Sequence, residues 1–236
     1  EHSQLCLTNA EMRAEMIRVV KERIRANPGA TMISISQNDW HGYCECEPCR
    51  TLDQREETHA GTLIHFINAI AEEVEKEFPG ILIETLAYQY TRKPPQHVRP
   101  RHNVVIRLCS IECSFTETLA DGKDEANVAF RRDLEAWSRI SPQLYIWDYV
   151  TNFSDYLSPH PNFRVLAPNL RYFVRNGASG IFEQGDSGCR VGHFVRLRAW
   201  YLAHLLWNPE AGEKKLLETF MNGYYGAAGA KMREYL

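Results

Sequence analysis

Ile81-Leu-Ile-Glu-Thr-Leu-Ala-Tyr-Gln-Tyr90 and Val104-Val-Ile-Arg-Leu-Cys-Ser110 are two near-continuous apolar runs joined by Thr91 to Asn103, a connection that contains Pro94, Pro95 and Pro100 and no helical period. Strands that are apolar at nearly every position, and not at every second one, belong to a parallel sheet covered on both faces. About a dozen residues is the shortest crossover that joins a parallel pair, so the connection reads as an abbreviated crossover. Outward from these runs the same alternation continues. Upstream, Leu63, Phe66, Ile67, Ile70 and Val74 fall on one helical face that stops at Phe78-Pro79-Gly80. Before that helix lies a strand over Thr31 to Ser36. It is preceded by a helix carrying Met12, Met16, Ile17, Val20 and Ile24, with Thr8 to Glu11 in capping-box form. Downstream come a helix with Phe130, Leu134 and Trp137 behind a cap at Asp124, a strand Leu144 to Tyr149, and a helix ending at Asn176-Gly177. A strand Gly180 to Glu183 and two helices, Val191 to Trp207 and Glu213 to Tyr225, complete the chain. The fold class is therefore α/β. A complete (β/α)8 barrel needs eight strands and about 250 residues, so five strands are the later part of such a barrel or an open sheet. No linker, repeat or low-complexity segment divides residues 1–236, which read as one barrel domain or a fragment of one.

The bulk numbers exclude several classes of function. The chain has 236 residues, is 44% hydrophobic and 24% charged, and carries a formal net charge of −3. That composition supports a sizeable core and gives no basic footprint for nucleic acid or an anionic membrane. No apolar run reaches the roughly 20 residues of a membrane-spanning helix. The oligomeric state is not legible. The chain opens at Glu1 without an initiator Met and closes in a helical pattern, as expected of a piece of something longer.

In parallel α/β folds the residues that end the strands share one face, where ligands bind. Here that set holds Gln37, Asn38, Asp39 and Trp40; Tyr88, Gln89 and Tyr90; Cys109, Glu112 and Cys113; Trp147, Asp148 and Tyr149; and Glu183, Gln184 and Asp186. Carboxylates and aromatics dominate it. Glycoside hydrolysis needs that combination: one carboxyl group to protonate the leaving oxygen, a second as base or nucleophile, and aromatic faces for sugar rings. Asp39, Asp148 and Glu183 are the candidate catalytic residues. Asn38, Trp40, Tyr88, Tyr90, Trp147 and Arg190 are candidates for binding substrate. Each has a plainer alternative: Asp39 as a turn-former, Asp148 and Glu183 as members of buried ion pairs, the aromatics as rim packing and Arg190 as a solvated cation.

Ser36-Gln-Asn-Asp39, Gly42-Tyr-Cys44-x-Cys46-x-x-Cys49, Thr85-Leu-Ala-Tyr88 with its Pro-Pro loop, Trp147-Asp-Tyr149 and Gly180-Ile-Phe-Glu-Gln-Gly185 together resemble a bacterial domain family of unknown function grouped with glycoside-hydrolase TIM barrels. The resemblance spans nearly the whole chain. It implies a barrel whose first strands lie upstream of Glu1, in an exported protein of periplasmic or extracellular location. More distantly, the arrangement is similar to the α-glucuronidases. That likeness implies Asp39 as the acid, in place of a glutamate, and Asp148 and Glu183 as the pair on the opposite side of the bond. The cysteine insertion departs from the α-glucuronidase pattern.

Of the seven cysteines, three are packed as Cys44-x-Cys46-x-x-Cys49. Three thiols at that spacing are either part of a structural zinc site, with Cys189, His41 or His193 as the fourth ligand, or one disulfide and a spare. No cofactor is required for the chemistry. Three functions follow: a glycoside hydrolase acting on an oligosaccharide or polysaccharide, a non-catalytic carbohydrate-binding barrel, and a metal-dependent hydrolase using the cysteines and histidines.

Overall fold

The computed structural model describes residues 3–188 and 190–236. Five strands form one sheet in the order β1 (Met32–Ser34), β2 (Leu82–Ala87), β3 (Val104–Cys109), β4 (Gln143–Tyr149) and β5 (Ala178–Gln184). β1 pairs in parallel with β2, in the register Ile33 to Ile83, and β2 with β3, in the register Thr85 to Ile106. The strand order never reverses. An open doubly wound sheet has a reversal, and a (β/α) barrel does not, so the topology is that of part of a barrel.

The helices are α1 (Ala10–Ala26), α2 (Glu47–Glu56), α3 (His59–Glu75), α4 (Glu125–Ile140), α5 (Phe163–Arg175), α6 (Val195–Trp207), α7 (Glu213–Tyr225) and α8 (Gly229–Tyr235). The chain forms two compact units. The first comprises Glu1–Ser110, Arg132–Ile146 and Gly177–Gly180; the second comprises Ile111–Arg131, Trp147–Asn176 and Ile181–Leu236.

In the first unit, Ile83, Val104, Ile106 and Leu108 are wholly shielded from solvent along with Ile67, Ile70 and Val74 of α3, as near-continuous apolar strands require. The other face of the strands sets Glu84 and Arg107 among Leu82, Leu86, Val105 and Cys109. Glu84 is buried there, its Oε1 3.3 Å from Arg107 Nε, and the Arg107 guanidinium lies 5.9 Å from the centre of the Tyr145 ring. Burial raises the Glu84 carboxyl above its ordinary range, and the charge of Arg107 opposes that rise. Gly180 faces the same ring, and a Cβ there would sit 2.8 Å from its carbons.

The β2 to β3 connection has no α-helix, only a single 3-10 turn at Gln89–Thr91, so most of its backbone groups must find side-chain partners. Glu56 supplies two of them. Its Oε2 accepts from His97 N at 2.8 Å and Val98 N at 2.9 Å. Asn68 adds another two, donating to Arg99 O and accepting from Arg101 N. Trp137 Nε1 donates to Arg92 O, and Arg92 pairs with Asp133 at 2.8 Å. Proline suits such a segment because it has no N–H to satisfy.

Four local expectations change. The first cap is Asn9, whose side chain accepts from Met12 N, and the Thr8 hydroxyl turns to cysteine sulfur instead. β1 is shorter than Thr31 to Ser36, though Ile35 N still donates to Glu84 O. Residues 47–56, read as loop, are helical; Pro48 and Glu47 in the first turn are the start signals that the cysteines obscured. α6 begins at Val195 and not at Val191, because Phe194 adopts a left-handed backbone with φ of 53°.

Candidate functional site

Each unit carries its own cluster of reactive side chains. In the second unit, Asp148 and Glu183 come from the C-terminal ends of β4 and β5. Their carboxyl groups interact with each other. Asp148 is 7% exposed, and Glu183 Oε2 is shut off from solvent. Burial pushes the Glu183 carboxyl well above its ordinary range; the Asp148 charge pushes it further. Two interacting carboxyls cannot both ionise cheaply, which favours a protonated Glu183 beside Asp148.

Side chains alternate along a strand, so Asp148 leaves β4 on the face of Leu144 and Ile146, whereas Trp147 and Tyr149 leave on the opposite face. The sequence expectation grouped all three on one surface. Trp147 Nε1 donates to Gln184 Oε1 at 2.7 Å, and its ring meets Phe182 edge-on at 5.0 Å and stacks towards Tyr149 at 6.4 Å. Beyond the strand end a small cleft is lined by Asp148, Tyr149, Phe115, Asn162 and Asn169. Asn162 Nδ2 donates to Val150 O, and Asn169 Oδ1 accepts from Leu119 N, which fixes the loops around the cleft.

A second polar group in this unit includes Asp186 and His193, both named from the sequence, and adds His160 and Arg198, which were not. Among the described residues, Nε2 of His160, Nε2 of His193, both carboxylate oxygens of Asp186 and Nε of Arg198 are shielded from solvent without a hydrogen-bond partner. Arg198 is 3% exposed, and burial lowers its pKa to about 10 against the pull of Asp186. Burial and then the charge of Arg198 hold both histidines below their ordinary value, which favours neutral rings. Arg190 is exposed in the loop after β5.

In the first unit, Tyr88 Oη donates to Asp39 Oδ1 at 2.9 Å, joining two of the expected site residues. Gln89 Nε2 donates in turn to Tyr88 Oη. Trp40 is 43% exposed beside them. Asn38 and Tyr90 line a cleft together with Tyr43, Asp53, His59 and Cys44. Asp53, His59 and Tyr43 were missed as candidates. His59 Nδ1 lies 2.6 Å from Asp53 Oδ2, Thr62 Oγ1 donates to Asp53 Oδ1 at 2.6 Å, and the Tyr43 ring sits 3.8 Å from the His59 ring. Burial, reinforced by the Asp53 charge, pushes the Tyr90 phenol up to about 12. The only sequence signal for this group was Thr58, the N-cap that turns the chain between Asp53 and His59.

Cys44, Cys46 and Cys49 gather in this unit with a fourth thiol that the sequence reading did not pick, Cys6. The four sulfurs lie within 4.8 Å of one another, a cluster that could hold a metal such as zinc. Of the three expected fourth ligands, His41 and His193 are not in the cluster, and Cys189 lies outside the described residues. No disulfide joins the six described cysteines. A hydrogen bond from Cys49 N–H, followed by one from the Thr8 hydroxyl, lowers the Cys46 thiol below its ordinary value, while burial raises Cys49.

Among the described residues no helix is long and apolar enough to cross a membrane. No curated protein matches the chain. The model of a family described as a domain of unknown function (DUF4838) matches residues 1–236, and the chain belongs to that family.

Proposed function

We propose that the protein is a carbohydrate-active hydrolase of the glycoside-hydrolase type, in which Asp148 and Glu183 act as one proton-sharing unit on an oligosaccharide or polysaccharide. The observation that carries the reading is the pairing of two carboxyl groups at the ends of β4 and β5, Asp148 buried and Glu183 half-buried with its Oε2 shut off from solvent. Strand C-terminal ends are where barrel enzymes place their chemistry, and a carboxyl kept protonated beside an ionised one can give and take a proton at neutral pH. Acid and base that flank a glycosidic bond stand about 5–5.5 Å apart in retaining enzymes and about 6.5–9.5 Å in inverting ones. In this reading Asp148 and Glu183, which interact with each other, serve the same side of the bond, as base and orienting partner. Asp39 as the acid rests on the resemblance to α-glucuronidases. An exported location rests on the resemblance to the bacterial domain family grouped with glycoside-hydrolase barrels, and the four-cysteine cluster holds a structural ion outside the chemistry.

A second reading is a non-catalytic carbohydrate-binding barrel. The interaction of the Asp148 and Glu183 carboxyls with each other, and not with an open site between them, favours it.

Screening the full chain against uronate-containing and neutral glycans for release of reducing ends separates the two. With Asp148→Asn, the hydrolase reading expects turnover to fall about 10²–10⁴-fold, the usual contribution of a positioned acid or base, with glycan binding retained. Binding without turnover in the wild type would favour the binding barrel. Undiminished turnover in Asp148→Asn would end the assignment.

A further inference from the structure

We propose that Cys6, Cys44, Cys46 and Cys49 hold a single zinc ion in a closed structural site, and that this ion fastens residues 4–8 against the loop that presents Asp39. The first half stands on the thiol geometry alone. With zinc–sulfur bonds of about 2.3 Å, the edge of a tetrahedral four-sulfur site is about 3.8 Å. Cys6 Sγ lies 3.7 Å from Cys46 Sγ and 3.9 Å from Cys49 Sγ. A disulfide needs about 2.05 Å. Four sulfurs within 4.8 Å of one another enclose one ion and leave no room for a polynuclear cluster. Four sulfur ligands in a tetrahedron suit zinc, which needs no open coordination position in a structural role.

The surroundings are those of a thiolate site. Cys46 and Cys49 lie where the chain turns into α2, as its N-cap and in its first turn. The Thr8 hydroxyl stands 3.2 Å from Cys49 Sγ, 3.4 Å from Cys6 Sγ and 3.7 Å from Cys46 Sγ. Donors of this kind orient and stabilise metal-bound sulfur. Thr8 gives up the helix cap to Asn9 while its hydroxyl faces the sulfurs, and the cluster accounts for that choice.

The second half follows from Gln4, two residues before Cys6. Its Nε2 donates to the carbonyls of Asn38 and Trp40, its Oε1 accepts from Asn38 N at 3.0 Å, and its backbone N donates to Gly42 O at 2.8 Å. One side chain thus satisfies the backbone on both sides of Asp39. Residues 3–9 contain no helix or strand to hold them there, and Cys6 ties them to the rest of the unit. What the loop is held for rests on the reading of Asp39 as a site residue; the metal and the strap do not.

The test is made on the full chain, purified under reducing conditions from zinc-supplied cells, with neither readout depending on activity. Elemental analysis should find one equivalent of zinc. Cys6→Ser should lose most of it, and Cys109→Ala, a buried cysteine outside the cluster, should keep it. Cobalt substitution should give the intense visible bands of a tetrahedral thiolate site. Removing the metal with a chelator should speed hydrogen exchange at the amides of residues 36–43, and Gln4→Ala should do the same with zinc retained. Absence of bound metal, iron in place of zinc, or a disulfide between two of the four in non-reducing mass spectrometry would overturn the site. Exchange at residues 36–43 that is indifferent to the metal and to Gln4→Ala would overturn the strap.

Discussion

Glu183→Gln is expected to remove turnover and, at the same time, to stabilise the fold increasingly as pH rises. The amide has the size of the carboxylic acid and can donate to Asp148 as the protonated acid does, but it cannot release a proton. Turnover should therefore fall about 10²–10⁴-fold, the contribution of a positioned proton-transfer group. The stability effect has a definite sign. The folded-state pKa of Glu183 is raised above 4.5, the value of an exposed glutamate. Between that value and the raised one the native state holds more protons than the unfolded chain. Stability from this group is thus intact at acid pH, falls as pH rises through the window, and is level above it. The variant has no proton to lose and lacks the decline. The difference in Tm between Glu183→Gln and wild type should be near zero at pH 4 and grow in favour of the variant towards pH 9. A gain in stability on loss of a functional group is the usual mark of a strained site. Parallel Tm curves for the two proteins across that range would contradict the shared proton.

Glu56→Ala is expected to cost about 3 kcal/mol, the value of a shift from 4.5 to about 2 at 1.36 kcal/mol per unit. Glu56 is wholly buried, and burial alone would raise its pKa. The N–H groups of Val98 and His97 win, helped by Arg55 and His65. Alanine would leave both amides of the proline-rich connection without an acceptor in the fold. Gly61 packs directly on the Glu56 side chain, where any Cβ would collide with it, so the carboxylate cannot shift aside. Because the folded pKa lies below the unfolded one, the stabilisation is complete above about 4.5 and disappears as pH falls towards 2. Urea midpoints at pH 7 and pH 3 check this. The wild type should lose stability between them by more than Glu56→Ala does, and equal losses would remove Glu56 from the account.

The parallel sheet was legible because its strands are apolar at nearly every position and the helices between them show a clear face, as in Ile67, Ile70 and Val74. α2 was not, since its buried positions are few and include a cysteine, so no apolar stripe marks it. Contact between Asp148 and Glu183 was partly legible: both interrupt apolar strands, which is costly unless a partner is found. The expected partner was an arginine, and pattern alone does not distinguish a cation from a second carboxyl that carries a proton. Cys6 was invisible as a ligand because its closeness to Cys46 spans 40 residues of sequence. Asp53 and His59 were passed over because α2 ends and α3 begins between them, which breaks any fixed helical spacing. Trp147 and Asp148 end the same strand, but the two-residue alternation of side chains puts such neighbours on opposite faces.

The central claim, that Asp148 and Glu183 share one proton in a buried site, is tested most directly by a carbon-13 NMR titration of their carboxyl carbons in the wild type and in Asp148→Asn. The account predicts a Glu183 carboxyl that remains protonated well above pH 4.5 and titrates lower once the neighbouring charge is removed. A Glu183 that ionises near 4.5 in both proteins would contradict it.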